Sequence, residues 1–231
     1  MPQFDNQTEP IKLPSPIPAS KAIPEFYSKA QRWVGKENKP VVSNYTVNHD
    51  VKVCMSFLDS FTTGYFLETW SDAQVTVFDE NHSTINWLTK PDMAHLRDSE
   101  QGRTLPNPAG HTNQHFAWIG QWAIEVPKGY SVLITHPFNR FDLPFTTMSG
   151  IVDADTFQSA GNIPFYLRSN WEGIIPAGTP FAQIIPFKRD DWKSEIGTTK
   201  DINKVAQQVF DSRRVLSGMY KKQHWVRKSF E

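Results

Sequence analysis

Asp153 and Asp155 stand two residues apart at the end of the apolar run SGIVDADTF, Ser149 to Phe157. A carboxylate presented at a strand end can take a proton from water or a hydroxyl. Aspartate in the same place also accepts local backbone N–H groups and closes a turn. Both readings stand for Asp153, whereas the structural one leads for Asp155. A second cluster occupies His136–Pro144, HPFNRFDLP, an aromatic, proline-bounded segment holding Asn139, Arg140 and Asp142. Its guanidinium and carboxylate either recognise a polar ligand or brace the turn as an ion pair. His111 and His115 have the i, i+4 spacing of a helical zinc pair. They follow a Pro/Gly loop without the adjacent glutamate, so a loop or strand pair is expected and no metal site is assigned. Cys54 is the single cysteine. In VKVCMSF it reads as a buried, inert thiol, which excludes an internal disulfide and fits a reducing compartment.

The elements that must position these groups are β-rich. Two glycine-punctuated blocks, Val126–Arg140 and Ile174–Arg189, each open on a proline–glycine turn. Between Val41 and Phe187, VVSNYTV, VKVCMSF, GYFLETW, AQVTVF, STINWLT, HFAWIG, QWAIEV, YSVLITH and PFYLRS are short runs rich in β-branched and aromatic residues. Their close spacing predicts an all-β barrel or sandwich. Residues 90–114 break the pattern, with a helical turn expected in DMAHLRDSEQ and a loop after it.

The two ends read differently. Residues 1–23, with Pro10, Pro14, Pro16 and Pro18, predict an extended arm. Pro24–Val34 suits a short helix with Phe26, Ala30 and Trp33 on one face. Beyond residue 190 the stripe Ile202, Val205, Val209, Leu216 and Tyr220 predicts a C-terminal helix that ends near Gly218 and packs through its apolar face. Lys221, Lys222, Arg227 and Lys228 with Trp225 form a basic tail. It reads as a solvated helix end or as a dock for an acidic partner or nucleic acid. The expected organisation is residues 1–40 as arm and short helix, 41–189 as β domain, and 190–231 as helix and tail.

The 231 residues carry 24 acidic and 24 basic side chains, a formal net charge of zero. No overall field favours nucleic acid or an anionic membrane. No apolar run approaches the roughly 18 residues of a membrane span. MPQFDNQTEP lacks the basic start and apolar core of a signal peptide. A cytoplasmic location is therefore expected, with the sequons at Asn6, Asn44 and Asn81 idle.

Residues 64–187 resemble the trimeric dUTPase family, whose fold is the β-clip. The resemblance is carried by Gly64-Tyr65-Phe66-Leu67 with Ser71-Asp72-Ala73 and Gln74–Val77. Further blocks are Pro127-Lys128-Gly129-Tyr130 with Pro137, Gly150-Ile151-Val152-Asp153-Ala154-Asp155, and Gly178-Thr179-Pro180-Phe181-Ala182-Gln183-Ile184. It implies a mainly β fold, a β-clip domain to which this chain adds its proline-rich N-terminal arm and C-terminal helix, assembled as a homotrimer. It implies Asp153 at the position of the general base. The turn around Asn139, Arg140 and Asp142, with Asp155 and Gln183, falls where that family binds its ligand. The departures fall on the chemistry. Phe66 replaces an acid that supports Mg²⁺, and a phenyl ring offers no oxygen donor. Pro137-Phe138-Asn139-Arg140 lacks the serine of the family's phosphate-binding turn, the family's stacking tyrosine would be Thr156 or Phe157, and no glycine-rich C-terminal arm is present. More loosely, the chain resembles the trimeric head decoration proteins of tailed phages and other phage-encoded proteins, which would place it in a virion or the host cytoplasm. The expectation is a non-catalytic homotrimeric binding or assembly protein that needs no cofactor. The alternatives are a Mg²⁺-dependent nucleotide pyrophosphohydrolase of altered specificity and a nucleotide-binding sensor.

Overall fold

The computed structural model describes residues 13–43, 46–79, 82–89, 92–97, 104–158, 161–214 and 218–231. The chain divides into two compact units, one built on Phe66–Phe187 and the other on Ile17–Tyr65 with Lys188–Glu231. The elements are mainly β, and the sheet registers are antiparallel.

The unit that begins at Ile17 opens with a two-residue strand, β1 (Ile17–Pro18), and a helix of five residues, α1 (Glu25–Lys29). A hairpin follows, β2 (Val42–Ser43) with β3 (Thr46–Val47), and then α2 (Met55–Thr62). Here VKVCMSF departs from its expected strand. Residues Val51–Val53 form a 3₁₀ turn, and Met55–Phe57 belong to α2. Helical spacing prevails over β propensity because Phe57 and Phe61, four apart, share one face. They meet Tyr27 there, with ring centroids 5.9 and 4.7 Å from it. Cys54, expected inside a strand core, lies exposed just before α2. In α1 the buried ring is Tyr27 rather than Phe26, and the helix stops before Trp33, which instead bridges His49. The expected arm is folded from Ile17 on, with Pro18 and Ala19 buried and the Ala19 amide donating to Gly64 O at 2.9 Å. The part of the arm up to residue 12 lies outside the described residues.

The C-terminal part of this unit holds α3 (Thr199–Arg214) and α4 (Met219–Gln223). Ile202, Val205 and Val209 form the expected stripe but are exposed, while Leu216 falls outside the described residues. The basic tail keeps Lys221, Lys222 and Arg227 exposed but is tied down further along. Trp225 Nε1–H donates to both carboxylate oxygens of Asp59 on α2 (3.1 and 3.0 Å), Lys228 pairs with the same carboxylate, and Phe230 meets Tyr65 edge-on.

The other unit carries strands β4 (Tyr65–Glu68), β5 (Ala73–Asp79), β6 (His82–Trp87), β7 (Ala94–Leu96), β8 (Phe116–Ile119), β9 (Tyr130–Thr135), β10 (Phe145–Thr147), β11 (Gly150–Val152), β12 (Asn162–Leu167), β13 (Gly173–Ile175) and β14 (Pro180–Lys188). They form sheets in the orders β4-β14-β9-β11, β10-β12-β8-β7 and β13-β5-β6. Trp118 of β8 sits at the centre of the core. Its ring stacks on Phe165 of β12 (3.9 Å) and meets Phe145 of β10 and Phe181 of β14 (4.9 Å each). Trp118 Nε1–H donates to Thr147 Oγ1 at 3.1 Å, and that hydroxyl donates to Phe181 O at 2.5 Å. This relay links Trp118 and Thr147 to the backbone of β14 across the first two sheets. QWAIEV, expected as a strand, has no ladder partner among the described residues. Its alternation persists without pairing, because Trp122, Ile124 and Val126 pack in turn against the core. The helical turn expected in residues 92–101 is instead strand β7 over Ala94–Leu96, and residues 98–101 lie outside the described ones.

Candidate functional site

Strand β9 organises the candidate residues. It pairs antiparallel with β11 through Gly150↔Ile134, Ile151↔Leu133 and Val152↔Val132. That register carries Asp153 past the end of β11 to a position opposite Ser131, whose hydroxyl donates to Asp153 Oδ1 at 2.6 Å. The chain then turns tightly, with the amides of Thr156 and Phe157 both donating to Asp153 O at 3.0 Å. Asp155 Oδ2 accepts the backbone N–H of Gly129 at 2.8 Å. Gly129 adopts φ +86°, the left-handed region that glycine occupies without strain, so the Pro127–Tyr130 turn closes where the Asp155 carboxylate can hold it. The aspartate pair thus clamps the entry of β9.

At the other end of β9 the chain enters the 136–144 loop. Pro137 O accepts the Arg140 amide at 3.2 Å, and Asn139, at φ +59°, takes the left-handed position that asparagine tolerates. Arg140 grips Asp142 with two parallel bonds, Nε to Oδ1 and a terminal nitrogen to Oδ2, both 2.8 Å. Burial alone would raise the Asp142 carboxyl, but the hydrogen bonds and charge of Arg140 outweigh it and hold the group below its ordinary range. His136 bridges the loop. The Thr147 amide donates to its Nδ1 (3.3 Å), so Nε2 carries the proton and donates to Arg140 O at 3.0 Å. Burial, with the nearby Arg140 and Arg168 charges, pulls the His136 pKa below 6.5 and keeps the ring neutral, against the opposing pull of its bond to Arg140 O and of Asp142. From β14, the buried Gln183 accepts the Phe138 amide at 2.9 Å. Arg168, just past β12, donates to Phe141 O. Phe141 itself is 75 % exposed.

Asn139, Arg140, Asp142 and Gln183 therefore belong to one loop cluster, whereas Asp153 and Asp155 do not. β9 has six residues, which at about 3.3 Å per residue separates the two groups by roughly 20 Å along one strand. Within a single chain the acids and the loop cannot act on the same atoms. His111 spends its ring on Ala109 O (3.1 Å) and Thr146 Oγ1 (2.9 Å), and His115 stacks on Tyr166, so each ring has its own local partner. Phe66 is buried in β4. Sequence reasoning missed Arg168, Ser131 and Phe141. The first two act only through cross-strand neighbours that no local pattern encodes. Phe141, an aromatic flanked by Arg140 and Asp142, was visible as an oddity of composition. Comparison with protein-family models and with curated proteins finds no match for the chain.

Proposed function

We propose that the protein is a non-catalytic, homotrimeric binding and assembly protein on a dUTPase-like β-clip scaffold, with the 136–144 loop as its contact surface. The observation that supports this reading is how the loop uses its polar groups. Arg140, Asp142, His136 and Gln183 are engaged in holding the loop's shape, and the ring left on the outside is Phe141. A loop ordered in advance loses little conformational freedom on binding, and an exposed aromatic on a rigid support is the usual anchor of a protein contact. The carboxylates favour the same reading, since Asp153 and Asp155 secure the entry of β9 away from that loop. The looser resemblance to phage proteins makes a virion or host-cell structural role the setting we favour. No helix among the described residues is long and apolar enough to cross a membrane.

Light scattering on the full chain, together with pyrophosphate release from dUTP and dCTP with Mg²⁺, tests the proposal. The expected result is a mass of three chains and no release above the uncatalysed level. A mass of one chain, or release abolished by Asp153→Asn, overturns it. A rise in melting temperature with nucleotide but no turnover would replace assembly with nucleotide sensing, since a ligand at 100 times its Kd adds about 2.7 kcal/mol.

A further inference from the structure

The imidazole of His136 joins two parts of the β unit, and we infer that it is a proton-operated latch on the 136–144 loop. Neutral, it ties the middle of the loop to β10; protonated, it gives up that tie and loosens the support under Phe141.

The geometry carries the inference. Strand β10 ends the row β10-β12-β8-β7, so its outer amides have no strand of that sheet to bond. One of them, on Thr147, donates to His136 Nδ1 at 3.3 Å, while Nε2 lies 3.0 Å from Arg140 O. Phe145, also on β10, meets the ring edge-on at 6.1 Å. Only a neutral imidazole accepts at one nitrogen and donates at the other. A protonated ring donates from both, which sets a second N–H against that of Thr147. It can keep Arg140 O but not β10, so ring and loop must part from the strand.

The surroundings offer the extra charge little. On the loop itself the ring faces Arg140 and Asp142, and from the end of β12 it faces Arg168. Asp142 is already held by two bonds from Arg140. From β10 and β14, Phe145, Thr147 and Gln183 bring no charge. Burial and the two guanidinium groups therefore favour the neutral ring. The loop's other ties do not respond to pH near neutrality. Gln183 holds the Phe138 amide and does not titrate, and Arg168, bonded to Phe141 O, stays charged. His136 is the tie that a fall through pH 6.5 reaches. Because Phe141 is the exposed ring of this loop, contacts made through it are favoured at neutral pH and weakened in acid. The inference rests on the contact role proposed above for the loop and adds its regulation.

The test follows backbone hydrogen exchange of the full-length protein by mass spectrometry at pH 7.5 and 5.5, with times scaled for intrinsic rate. Peptides from 137–147 are compared with peptides from β12, and exchange of the His136 C2 proton gives the ring's own midpoint. Protection should fall several-fold in the loop alone, with a ceiling of about ten-fold, the gain in protonation of a released ring of pKa 6.5 over this range. The fall should share the ring's midpoint, and His136→Asn should protect the loop equally at both pH values. Dilution series in light scattering should show wild type dissociating at higher concentration at pH 5.5 than at 7.5, with no such difference for His136→Asn. Unchanged loop protection in wild type, a midpoint apart from that of the ring, or a loss that persists in His136→Asn overturns the latch. A loop that loosens without any change in dissociation overturns its control of the contact. One-chain mass at pH 7.5 overturns the contact role instead, while exchange still reads the latch. Should His136→Asn fail to fold, the two midpoints in wild type decide: coincidence supports the latch, and separation overturns it.

Discussion

Gln183 and His136 both hold the candidate loop, and each carries a measurable expectation. The Gln183 carbonyl is the acceptor for the Phe138 amide, so Gln183→Leu leaves a partly buried donor unsatisfied. The expected loss is about 1–2 kcal/mol, read from the urea midpoint. A loss no larger than that of an exposed substitution would show that water replaces Gln183 there. His136 sets a pH dependence. Its folded pKa lies below the ordinary 6.5, so above that pH neither state holds the extra proton. Below it the unfolded chain binds a proton that the folded ring refuses. Stability should therefore fall as pH drops from 6.5 towards the folded value. His136→Asn removes this part of the slope, and stability curves between pH 7 and 5 for the two proteins check it. Asp142 acts in a lower window: its depressed pKa contributes stability above the ordinary 3.8 that is lost as pH falls through the folded value.

Among the elements, α2 is the anchor of its unit, because two parts of the chain far apart in sequence meet on it. Tyr27 packs against Phe57 and Phe61 on one side, and Trp225 and Lys228 converge on Asp59. Removing residues 225–231 would expose the Asp59 carboxylate and the ring of Tyr65. A lower melting temperature for the truncated protein is expected, with Asp59→Ala reproducing part of the change. Equal melting temperatures would mean that the tail docks without stabilising. The β unit depends in the same way on Trp118, which is fully buried among Phe145, Phe165 and Phe181. Trp118→Ala should cost about 3–5 kcal/mol, read from denaturant unfolding, through the cavity it leaves.

For the whole molecule, zero net charge and the exposed apolar positions point the same way. With no overall electrostatic field to select a partner, the assembly we propose would rest on shape and apolar area. The extended segment 189–198 joins β14 to α3 without regular structure and is exposed throughout. Trypsin should cut there first, after Lys193, and mass spectrometry of early fragments identifies the site. A first cut elsewhere would indicate that the assembled protein covers this segment.

The sequence by itself determined the β-rich class and most strands of the β unit. Period-two alternation and turn chemistry are local, and AQVTVF, YSVLITH and PFYLRS became β5, β9 and β12. It also located the C-terminal helix and the loop at Arg140, whose tie to Asp142 spans only two residues. Only the tertiary structure decided the rest. VKVCMSF turned helical because Tyr27, distant in sequence, offered a surface matched to helical spacing. QWAIEV kept its alternation without a ladder because the core, not a neighbouring strand, took its apolar side chains. The basic tail reads from sequence as a solvated helix end or as a dock, and the partner that Trp225 and Lys228 find, Asp59, lies far away in sequence. The candidate residues divided between the two ends of β9 because antiparallel register is set by pairing, which spacing along the chain does not encode.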